Sequence, residues 1–594
     1  MEKINFTPKQ YTSFYKPENL TRLLFLNPPN ITFDDFVNPP SNISTIQKNG
    51  RLFGSLITDI PLGPISLSAY LKKYIDIKID LCDFNVQLNK AKYFTYTNFI
   101  DYFSEVIRNE YSMNDYDYIG ISALFTPTYD SIIDLSSVAR SIFPDSIILV
   151  GGNFPTAMYE QILNDSSAID AVCYGEGEKA LLNLIMADDK TEYINSSNSW
   201  INHKKLLSKK YTLEHDFIWD LDEIPFLDYD ILDLDGYKIN PTSSRYAVKE
   251  KHDDNIKDYT DGSVDEILVA SKKEINYSMP IMTSRGCPFK CTFCASHAAH
   301  GRDMRYYSHE RVMQDIELMV KKYKIDGVVI QDDHFMAGKY RPYKIVKEIG
   351  EKNLGMFFQN ALAIYALDYE FLKLLKDSGV NSLVLPIESG SSRVLKDLMK
   401  KPLRLEIVPR VMKDCRDAGI FTDCNIILGM PGETLGDIED ARSFLKSIYA
   451  DWFRVFVATP IPGSDMYKQC HAENLFDVTP LKANYKRAVL ATEFLKPEDV
   501  QKMTYLMNIE LNFVHNSNVR LGNYQIALES FLNVINVKPD HCLAHYYASI
   551  CYEKLGNNKL HKYHIDLAIE YRDEFWEYFI NEFKIDFATL EVQQ

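Results

Sequence analysis

Alternating strands and helices constrain this chain more than any other feature of its sequence. Apolar β-type runs recur five times between residues 21 and 185, at 22–29 (RLLFLNPP), 75–85 (IDIKIDLCDFN), 116–125 (YDYIGISALF), 146–155 (SIILVGGNFP) and the start of 169–185 (IDAVCYGEGEKALLNLI). Helical stretches, such as 61–74, lie between them. The alternation predicts an α/β domain over 21–185 with a Rossmann-like, doubly wound parallel sheet. Ligands of such sheets bind at the carboxyl ends of the strands, where the glycine turns fall here.

A second alternation occupies residues 276–478. Its six apparent strands are YSMPIMTS, DGVVIQDD, GMFFQNAL, SLVLPIES, TDCNIILGM and WFRVFVATP. Six βα units predict a partial or complete (β/α) barrel, taken here as a partial (β/α)6 barrel of TIM type, with its active site at the strand C-termini. Residues 1–20 are taken as an N-terminal extension. The polar stretch 186–275, with a charge-rich run at 251–266, is interpreted as a solvated linker or insertion.

Residues 479–594 have a helical pattern. Leu521-Gly522 and Leu555-Gly556 recur 34 residues apart. The first pair, with Ala527, Phe531 and Pro539 at fitting offsets, resembles the tetratricopeptide (TPR) repeat. At the second, His561 stands where a small helix-packing residue is expected. So short an array favours a small all-α cap on the barrel over a long scaffold, although it could also present a peptide or protein substrate.

Charge and composition exclude several classes of protein. The formal net charge of −17 argues against binding nucleic acid, since phosphate contacts need clustered Lys and Arg. No apolar run approaches the ~18 residues of a membrane-spanning helix, and the first residues do not resemble a signal peptide. Seven of the ten cysteines are scattered, so no disulfide framework is predicted and a reducing cytoplasm is the expected location.

The other three cysteines, Cys287, Cys291 and Cys294, lie within eight positions in the segment TSRGCPFKCTFCASH. Three thiolates suit zinc or an iron–sulfur cluster. A zinc site would need His297 or His300 as its fourth ligand. A [4Fe–4S] cluster would instead keep one iron open to a small molecule. The position directly after the first barrel strand favours the cluster.

This C-x₃-C-x₂-C motif, with Phe293 before its last cysteine, resembles the radical S-adenosylmethionine (SAM) superfamily. The strand-end segments VVIQDDHF, IESGS, ILGMPGET and ATPIPGS resemble its cobalamin-binding branch. The resemblance implies that SAM chelates the open iron and that its cleavage releases a 5′-deoxyadenosyl radical. It further implies SAM contacts by Phe293, Glu388, Ser389, Ile427 and Gly429. Asp332 and Asp333 are catalytic candidates near the SAM amino group or the substrate, or else a pair that caps the strand end.

The N-terminal sheet also suggests a ligand. It lacks the G-x-G-x-x-G of dinucleotide sites, and its strand ends resemble the cobalamin (B12)-binding domain of class B radical SAM enzymes. The resemblance implies cobalamin contacts from the third, fourth and fifth strand ends: Ser122, Leu124, Phe125, Gly151, Gly152, Asn153, Gly175, Glu176 and Gly177. Residues 1–202 contain no histidine, so a histidine ligand to cobalt from this domain is not expected. Leu124 or Phe125 is the candidate to cover the lower face of the corrin.

The resemblance implies a radical SAM enzyme, with C-methylation of an unactivated carbon through methylcobalamin as the main hypothesis. A cyclase or rearrangement enzyme without net methyl transfer is the first alternative. A peptide-binding protein on a degenerate barrel is the second. A small-molecule or peptide substrate and a low-potential electron donor of flavodoxin or ferredoxin type are the expected partners. Neither nucleic acid nor membrane is expected among them.

Overall fold

The computed structural model describes residues 20–40, 44–241, 277–478, 481 and 487–587. The charge-rich run 251–266 and most of the proposed N-terminal extension lie outside these residues. In the N-terminal region the strands are β1 (Thr21–Asn27), β2 (Thr45–Lys48), β3 (Arg51–Gly54), β4 (Ile77–Asp83), β5 (Tyr118–Ser122), β6 (Ile147–Gly151), β7 (Ala171–Cys173) and β8 (Trp200–Ile201). The helices are Phe33–Val37, Leu62–Tyr74, Phe84–Lys90, Phe99–Glu110, Tyr129–Ile142, Asn153–Asp165, Glu178–Met186, Lys190–Ser196 and His203–Ser208.

The N-terminal strands form a six-stranded sheet in the order β4-β1-β5-β6-β7-β8. Its first five members pair in parallel, which confirms the predicted Rossmann-like sheet. In β1, Leu23 and Phe25 face a core shared with the barrel, whereas Leu24 and Leu26 face a second core. This period of two, with helices covering both faces, explains why the strand reads as a continuous apolar run.

The structure differs from the predicted domain end at residue 185. Strand β8 pairs antiparallel with β7, so the sheet continues past that point. Trp200, Ile218, Leu221 and Tyr229 are all buried in the core that joins sheet and barrel. The described part of the supposed linker is therefore a packed element, because its scattered apolar residues fill the interface between the two α/β regions.

The barrel has the six predicted strands: β9 (Ser278–Ile281), β12 (Gly327–Ile330), β13 (Gly355–Phe358), β14 (Ser382–Glu388), β15 (Phe421–Leu428) and β16 (Trp452–Val457). Its helices are His297–His300, His309–Tyr323, Arg341–Glu351, Tyr369–Asp377, Val408–Asp417, Leu435–Ser447 and Asp465–Ala472. The strands form two three-stranded parallel sheets, β13-β12-β9 and β14-β15-β16. This arrangement confirms the partial barrel. A short antiparallel hairpin, β10 (Ser284–Arg285) with β11 (Arg305–Tyr306), projects after β9.

The C-terminal region is helical, as predicted, with helices Pro497–Ile509, Ser517–Leu521, Tyr524–Val537, Cys542–Lys554, Asn558–Glu570 and Glu574–Phe583. Asn512 ties it to the barrel by accepting from Phe453 N and donating to Phe453 O, each at 2.8 Å. These bonds satisfy the open edge of β16, which would otherwise offer unpaired backbone groups. Gly522 and Gly556 both have positive φ angles just after helices. The assignment of this region to the TPR family stays a prediction.

Across the part of the chain that the structure describes, no helix has both the length and the apolar character that crossing a membrane requires.

Candidate active site

The three clustered cysteines lie on a loop closed at its base by the β10–β11 hairpin. Gly286 opens the loop with a φ of +93°, and a side chain there would collide with the carbonyl oxygen of Asp303. Thr292 anchors the middle of the loop, donating from its N–H to Met399 O at 2.9 Å and from its hydroxyl to Leu398 O at 2.7 Å. The barrel therefore fixes the shape of the loop, and all three thiols are half-buried.

The thiol arrangement distinguishes the two metal hypotheses. Among the described residues, no three His, Cys, Asp or Glu side chains stand close enough together to hold one metal ion. A Cys₃His zinc site would require such a set, and His300 instead lies 2.8 Å from Glu176 through its Nδ1. A cluster does not require such a set, because each of its cysteines ligates a different iron. Burial raises the pKa of Cys287 to about 11, so metal binding must displace a proton from this thiol.

Asp332 and Asp333 follow β12 but lie in different surroundings. Asp332 accepts hydrogen bonds from Thr283 N at 2.6 Å and from the hydroxyls of Thr283 and Ser284 at 2.5 and 2.6 Å. It also lies 3.4 Å from Arg341. Its carboxylate is therefore bound by residues that follow β9, as the capping alternative expects, and a contact with SAM or substrate stays a prediction.

Asp333 is the opposite case. Its Oδ2 is buried without a hydrogen-bond partner. Burial raises the pKa of its carboxyl, and a hydrogen bond from the backbone amide of Gly286 offsets part of that rise. A buried carboxylate oxygen with no partner, beside the cluster loop, suits a cationic ligand group such as the SAM ammonium.

Glu388 and Ser389 occupy the end of β14. Glu388 is a non-glycine residue at a φ of +66°, where the pairing of β14 with β15 shifts register. Such strain persists where a site holds a side chain in place. Its Oε1 accepts from Lys401 Nζ at 2.9 Å, and Lys401 in turn lies 5.9 Å from the centre of the Phe293 ring. The structure thus places the predicted residues Glu388 and Phe293 in one neighbourhood. The Ser389 hydroxyl accepts instead from Ser391 N at 3.1 Å.

The GMPGET segment follows β15 and is organised from within. Glu433 accepts from the N–H groups of Gly429 and Met430 at 2.6 and 2.9 Å. A side chain on Gly429 would lie 2.7 Å from Val500 of the helix Pro497–Ile509, so protein atoms already occupy one side of this glycine. Ile427 is half-buried against the barrel core. Sequence reasoning missed the role of Glu433, although its place in the motif could have signalled it.

On the N-terminal sheet, Ser122, Gly151, Gly152 and Asn153 meet where β5 and β6 end. Gly152 has a φ of +113°, and a Cβ there would lie 2.2 Å from Ala123 O. Here the glycine is explained by the protein backbone. Gly151 has room for a Cβ, which would lie 3.5 Å from the Cβ of Cys173, an ordinary contact distance. Asn153 begins a helix, and its buried Oδ1 has no hydrogen-bond partner. Such an oxygen could accept a hydrogen bond from a polar group of a ligand.

The turn after β7 differs most from expectation. The Glu176 carboxylate, predicted to contact cobalamin, is bound by Arg305 at 2.6 and 2.8 Å. The space beside Gly175 holds the ring of His215, and the space beside Gly177 holds Leu67. The side chains that fill this turn come from distant parts of the chain, so they could not be read from the local sequence.

Leu124 and Phe125, predicted to cover the lower face of the corrin, are both exposed. They follow β5 at the carboxyl edge of the sheet and are 55% and 49% exposed. An exposed apolar pair at the edge where ligands of such sheets bind suits the face of a corrin ring. Together with Gly151 and the Asn153 oxygen that lacks a hydrogen-bond partner, these residues fit a cobalamin site.

A further group missed by sequence reasoning lies beside the cluster loop. Phe289, between Cys287 and Cys291, packs its ring edge-on at 5.0 Å from His334 and at 5.7 Å from Tyr365. His334 Nε2 is 3.0 Å from the Tyr365 hydroxyl. The three come from the segments that follow β9, β12 and β13, on the side of a barrel where substrate binds. The position of His334 after Asp332-Asp333 was the available signal.

Comparisons with known proteins agree with this geometry. A family model described as the radical SAM superfamily matches residues 281–445, and one described as the B12 binding domain matches residues 60–185. Fold, cysteine motif and matches together define a radical SAM enzyme.

More particularly, the chain combines a radical SAM domain with a B12-binding domain. Its cofactors are a [4Fe–4S] cluster, SAM and cobalamin. The fold resembles that of OxsB, a cobalamin-dependent SAM radical enzyme solved with aqua-cobalamin and SAM bound. The two are 15% identical with a TM-score of 0.56, over 97% of this chain and 85% of that chain.

Three curated relatives cover most of the chain. An uncharacterized methyltransferase of Pyrococcus horikoshii is 27% identical over 61% of this chain and 71% of its own. The cytidylyl-2-hydroxyethylphosphonate methyltransferase of Streptomyces wedmorensis is 25% identical, over 67% and 75% of the two chains. The anaerobic magnesium-protoporphyrin IX monomethyl ester cyclase of Rubrivivax gelatinosus is 25% identical, over 66% and 69%.

Proposed function

We propose that this enzyme transfers a methyl group to an unactivated carbon of a small molecule or peptide. One observation carries the proposal: the two candidate cofactor edges are adjacent. Helix Asn153–Asp165, which starts at the glycine turn of the sheet, packs against helix His297–His300, which follows Cys294. A substrate held between these edges would lie within reach of both SAM and cobalamin.

Each candidate residue has a proposed role that follows from its position in the barrel. Cys287, Cys291 and Cys294 would hold the cluster. Asp333 would bind the SAM ammonium, Glu388 would accept from the ribose hydroxyls, and Phe293, Ile427 and Gly429 would lie along the adenine. When bound, cluster and SAM supply the radical that removes a substrate hydrogen atom, and cobalamin supplies the methyl group.

At the substrate, the chain offers His334, Tyr365 and Phe289. Burial lowers the pKa of His334, so its imidazole is neutral near pH 7 and can accept or donate a hydrogen bond. The hydrogen-bonded His334–Tyr365 pair would orient a polar group of the substrate beside the cluster loop, with Phe289 as an apolar wall. A low-potential electron donor of flavodoxin or ferredoxin type would reduce the cofactors. The C-terminal helices are the candidate surface for a peptide substrate.

The second candidate is a cyclase or rearrangement without net methyl transfer, which the likeness to the magnesium-protoporphyrin ester cyclase favours. Product stoichiometry separates the two. A methyltransferase forms S-adenosylhomocysteine besides 5′-deoxyadenosine, whereas the alternative forms no S-adenosylhomocysteine.

The test is anaerobic reconstitution of the full chain with iron, sulfide and hydroxocobalamin, followed by reduction and addition of SAM alone. We expect about one S-adenosylhomocysteine per bound cobalamin, because methyl transfer to cobalt needs no substrate. Cys294→Ala serves as the control without an intact cluster. Retained cobalamin without any S-adenosylhomocysteine would favour the cyclase hypothesis.

Electron paramagnetic resonance of the same sample tests the lower face of the cobalt. We expect cob(II)alamin without nitrogen coordination in both the wild type and His215→Ala. His215 stacks on Phe217 with ring centres 4.7 Å apart, and its Nδ1 points at the Gly175 turn. A nitrogen splitting that disappears in the variant would instead identify His215 as a cobalt ligand.

A further inference from the structure

The base of the cluster loop carries two arginines side by side. Arg285 of β10 and Arg305 of β11 are direct partners in the antiparallel hairpin. Both side chains cross to the N-terminal domain and meet Glu176 and Glu178, which flank Gly177 after β7. The segment that carries the cysteines is therefore tied at both ends to one turn of the B12-binding domain.

The contacts form a closed ionic group, here called the interdomain clamp: Glu176, Glu178, Arg285 and Arg305. Arg305 grips Glu176 with both terminal nitrogens, at 2.6 and 2.8 Å. Arg285 lies 3.2 Å from Glu176 and 2.8 Å from Glu178. Each of the four side chains is at most 7% exposed.

The clamp is charge-balanced and fixed. Burial by itself would raise the pKa of Glu176, but the charge of Arg285 and hydrogen bonds from Arg305 and His300 hold that pKa well below its usual range. The carboxylate therefore stays ionised at neutral pH. Arg305, His300 and Arg285 lie within 3.2 Å of its two oxygens, which leaves it unsuited to bind a corrin amide.

Surrounding contacts hold the clamp from the N-terminal side. Arg305 also donates to Ile218 O at 2.9 Å, and its guanidinium lies 4.1 Å from the centre of the Phe217 ring. Ser66 donates to Glu178 at 2.7 Å. The helix Leu62–Tyr74, the turn after β7 and the segment around 217 thus all meet the base of the cluster loop.

We propose that Glu176 and its arginine partners are positioning residues, which set the distance and orientation of the cluster loop relative to the cobalamin edge. Buried ion pairs add little net stability compared with apolar packing, so the gain from this one lies in a defined geometry. The role matters because misplacing reacting groups by about 1 Å can slow a reaction about 100-fold. This inference rests on the proposed two-cofactor function.

The test compares Glu176→Gln, Arg305→Gln and the conservative Arg305→Lys in the reconstituted full chain. Pulsed electron paramagnetic resonance measures the distance distribution between cob(II)alamin and the reduced cluster. We expect both glutamine variants to keep iron and cobalamin while the distribution broadens or shifts, with Arg305→Lys closer to the wild type.

Glu510→Gln is the matched control. Glu510 is equally buried and pairs with Arg442 at 2.9 Å and Lys446 at 3.2 Å, away from the interface between the two cofactor edges. This variant loses a comparable ion pair, and we expect it to lower thermal stability without changing the distance distribution. If Glu176→Gln behaves in the same way as Glu510→Gln, the clamp is merely structural and the proposal fails. If Glu176→Gln alone loses cobalamin, Glu176 is a cofactor ligand and the proposal also fails.

Hydrogen exchange of the unloaded protein gives a readout that depends on neither cofactor nor methyl transfer. We expect faster exchange in residues 286–304 for Glu176→Gln and Arg305→Gln, and unchanged exchange there for Glu510→Gln. Unchanged exchange in all variants would overturn the proposal. A wild type that forms no S-adenosylhomocysteine would count against the proposed function alone, since the loop protection is measured separately.

Discussion

The two candidate cofactor edges, one on the barrel and one on the N-terminal sheet, present their binding residues in different ways. On the barrel side, the three metal-binding candidates lie within eight consecutive residues of one loop. On the sheet side, the candidates come from the ends of β5, β6 and β7, which lie far apart in the sequence. The binding residues of the barrel side can therefore be recognised in the sequence as a local motif. Those of the sheet side can be recognised only from the folded structure.

The residue types differ in what they specify. A cysteine indicates the kind of atom that it binds. A glycine indicates only that a side chain is not tolerated, and three of the four glycines assigned to cobalamin are explained by other protein atoms: Ala123 at Gly152, His215 at Gly175 and Leu67 at Gly177. On the sheet side the stronger evidence for a ligand is the exposed pair Leu124 and Phe125.

The largest expected effect is on the barrel side. Cys291→Ala should reduce iron binding and SAM cleavage to background, because the loop offers no replacement thiol. Cys551→Ala is the control, since Cys551 is buried in the C-terminal helices and should leave iron content unchanged. Iron and sulfide analysis with ultraviolet–visible spectra provides the measurement. Full iron content in Cys291→Ala would contradict the assignment of this loop.

Asp332 and Asp333 give the next test, because adjacent residues of one strand end are expected to separate stability from binding. Asp332→Asn should lower the free energy of unfolding by about 3–5 kcal/mol, since it disturbs a buried carboxylate–arginine group. Asp333→Asn should not lower the free energy of unfolding near pH 7, because burial raises the pKa of this carboxyl, but it should weaken SAM binding about 10–100-fold, the value of one charge-assisted hydrogen bond.

Chemical denaturation and equilibrium dialysis with SAM measure the two effects. The comparison would break if Asp332→Asn weakened SAM binding selectively, or if Asp333→Asn only unfolded the protein.

On the sheet side, Gly151 and Gly152 form a matched pair. Gly152→Ala should destabilise the fold by about 4 kcal/mol, because backbone strain and overpacking each cost about 1–3 kcal/mol and the new Cβ would meet Ala123 O. Gly151→Ala should cost less than about 1 kcal/mol, since its nearest neighbour is at an ordinary contact distance. If Gly151 faces the corrin, its variant should still retain less cobalamin. Thermal unfolding and cobalamin content after gel filtration check both expectations, and equal stability of the two variants would refute this reading of the backbone.

Fold and site were predictable to different degrees. Period-two strands and the Cys287–Cys294 spacing are local, so both α/β regions and the cluster loop followed from the sequence. The pairs of residues that meet through long-range contacts could not be predicted from the sequence. Nothing near Glu176 indicates Arg305, which is 129 residues away, and nothing near Trp200 indicates that an apparently polar linker is buried. Asp332 and Asp333 could not be told apart, because hydrogen bonding in three dimensions alone separates them.

The smallest expected effect is on the pH dependence of the free energy of unfolding, through the buried carboxyl of Glu433 on the barrel side. Burial raises the pKa of Glu433 to about 7, and its Oε1 has no hydrogen-bond partner. The unfolded carboxyl titrates near its ordinary pKa of 4.5. Between these values the folded protein keeps a proton that the unfolded chain releases. The free energy of unfolding therefore falls as pH rises from about 4.5 to about 7, by up to about 3 kcal/mol, and levels off above that.

Glu433→Gln resembles the protonated acid and should remove this slope. We expect the variant to be more stable than the wild type at pH 8, by up to about 3 kcal/mol, and equally stable near pH 4.5. Urea denaturation of the unloaded protein at several pH values measures the difference, in which the contributions of all other groups cancel. Parallel pH profiles would show that Glu433 is ionised at no cost. Burying Glu433 on the barrel side would then cost no more free energy than burying the uncharged Asn153 on the sheet side. The contrast between the two edges would rest on the cysteines alone.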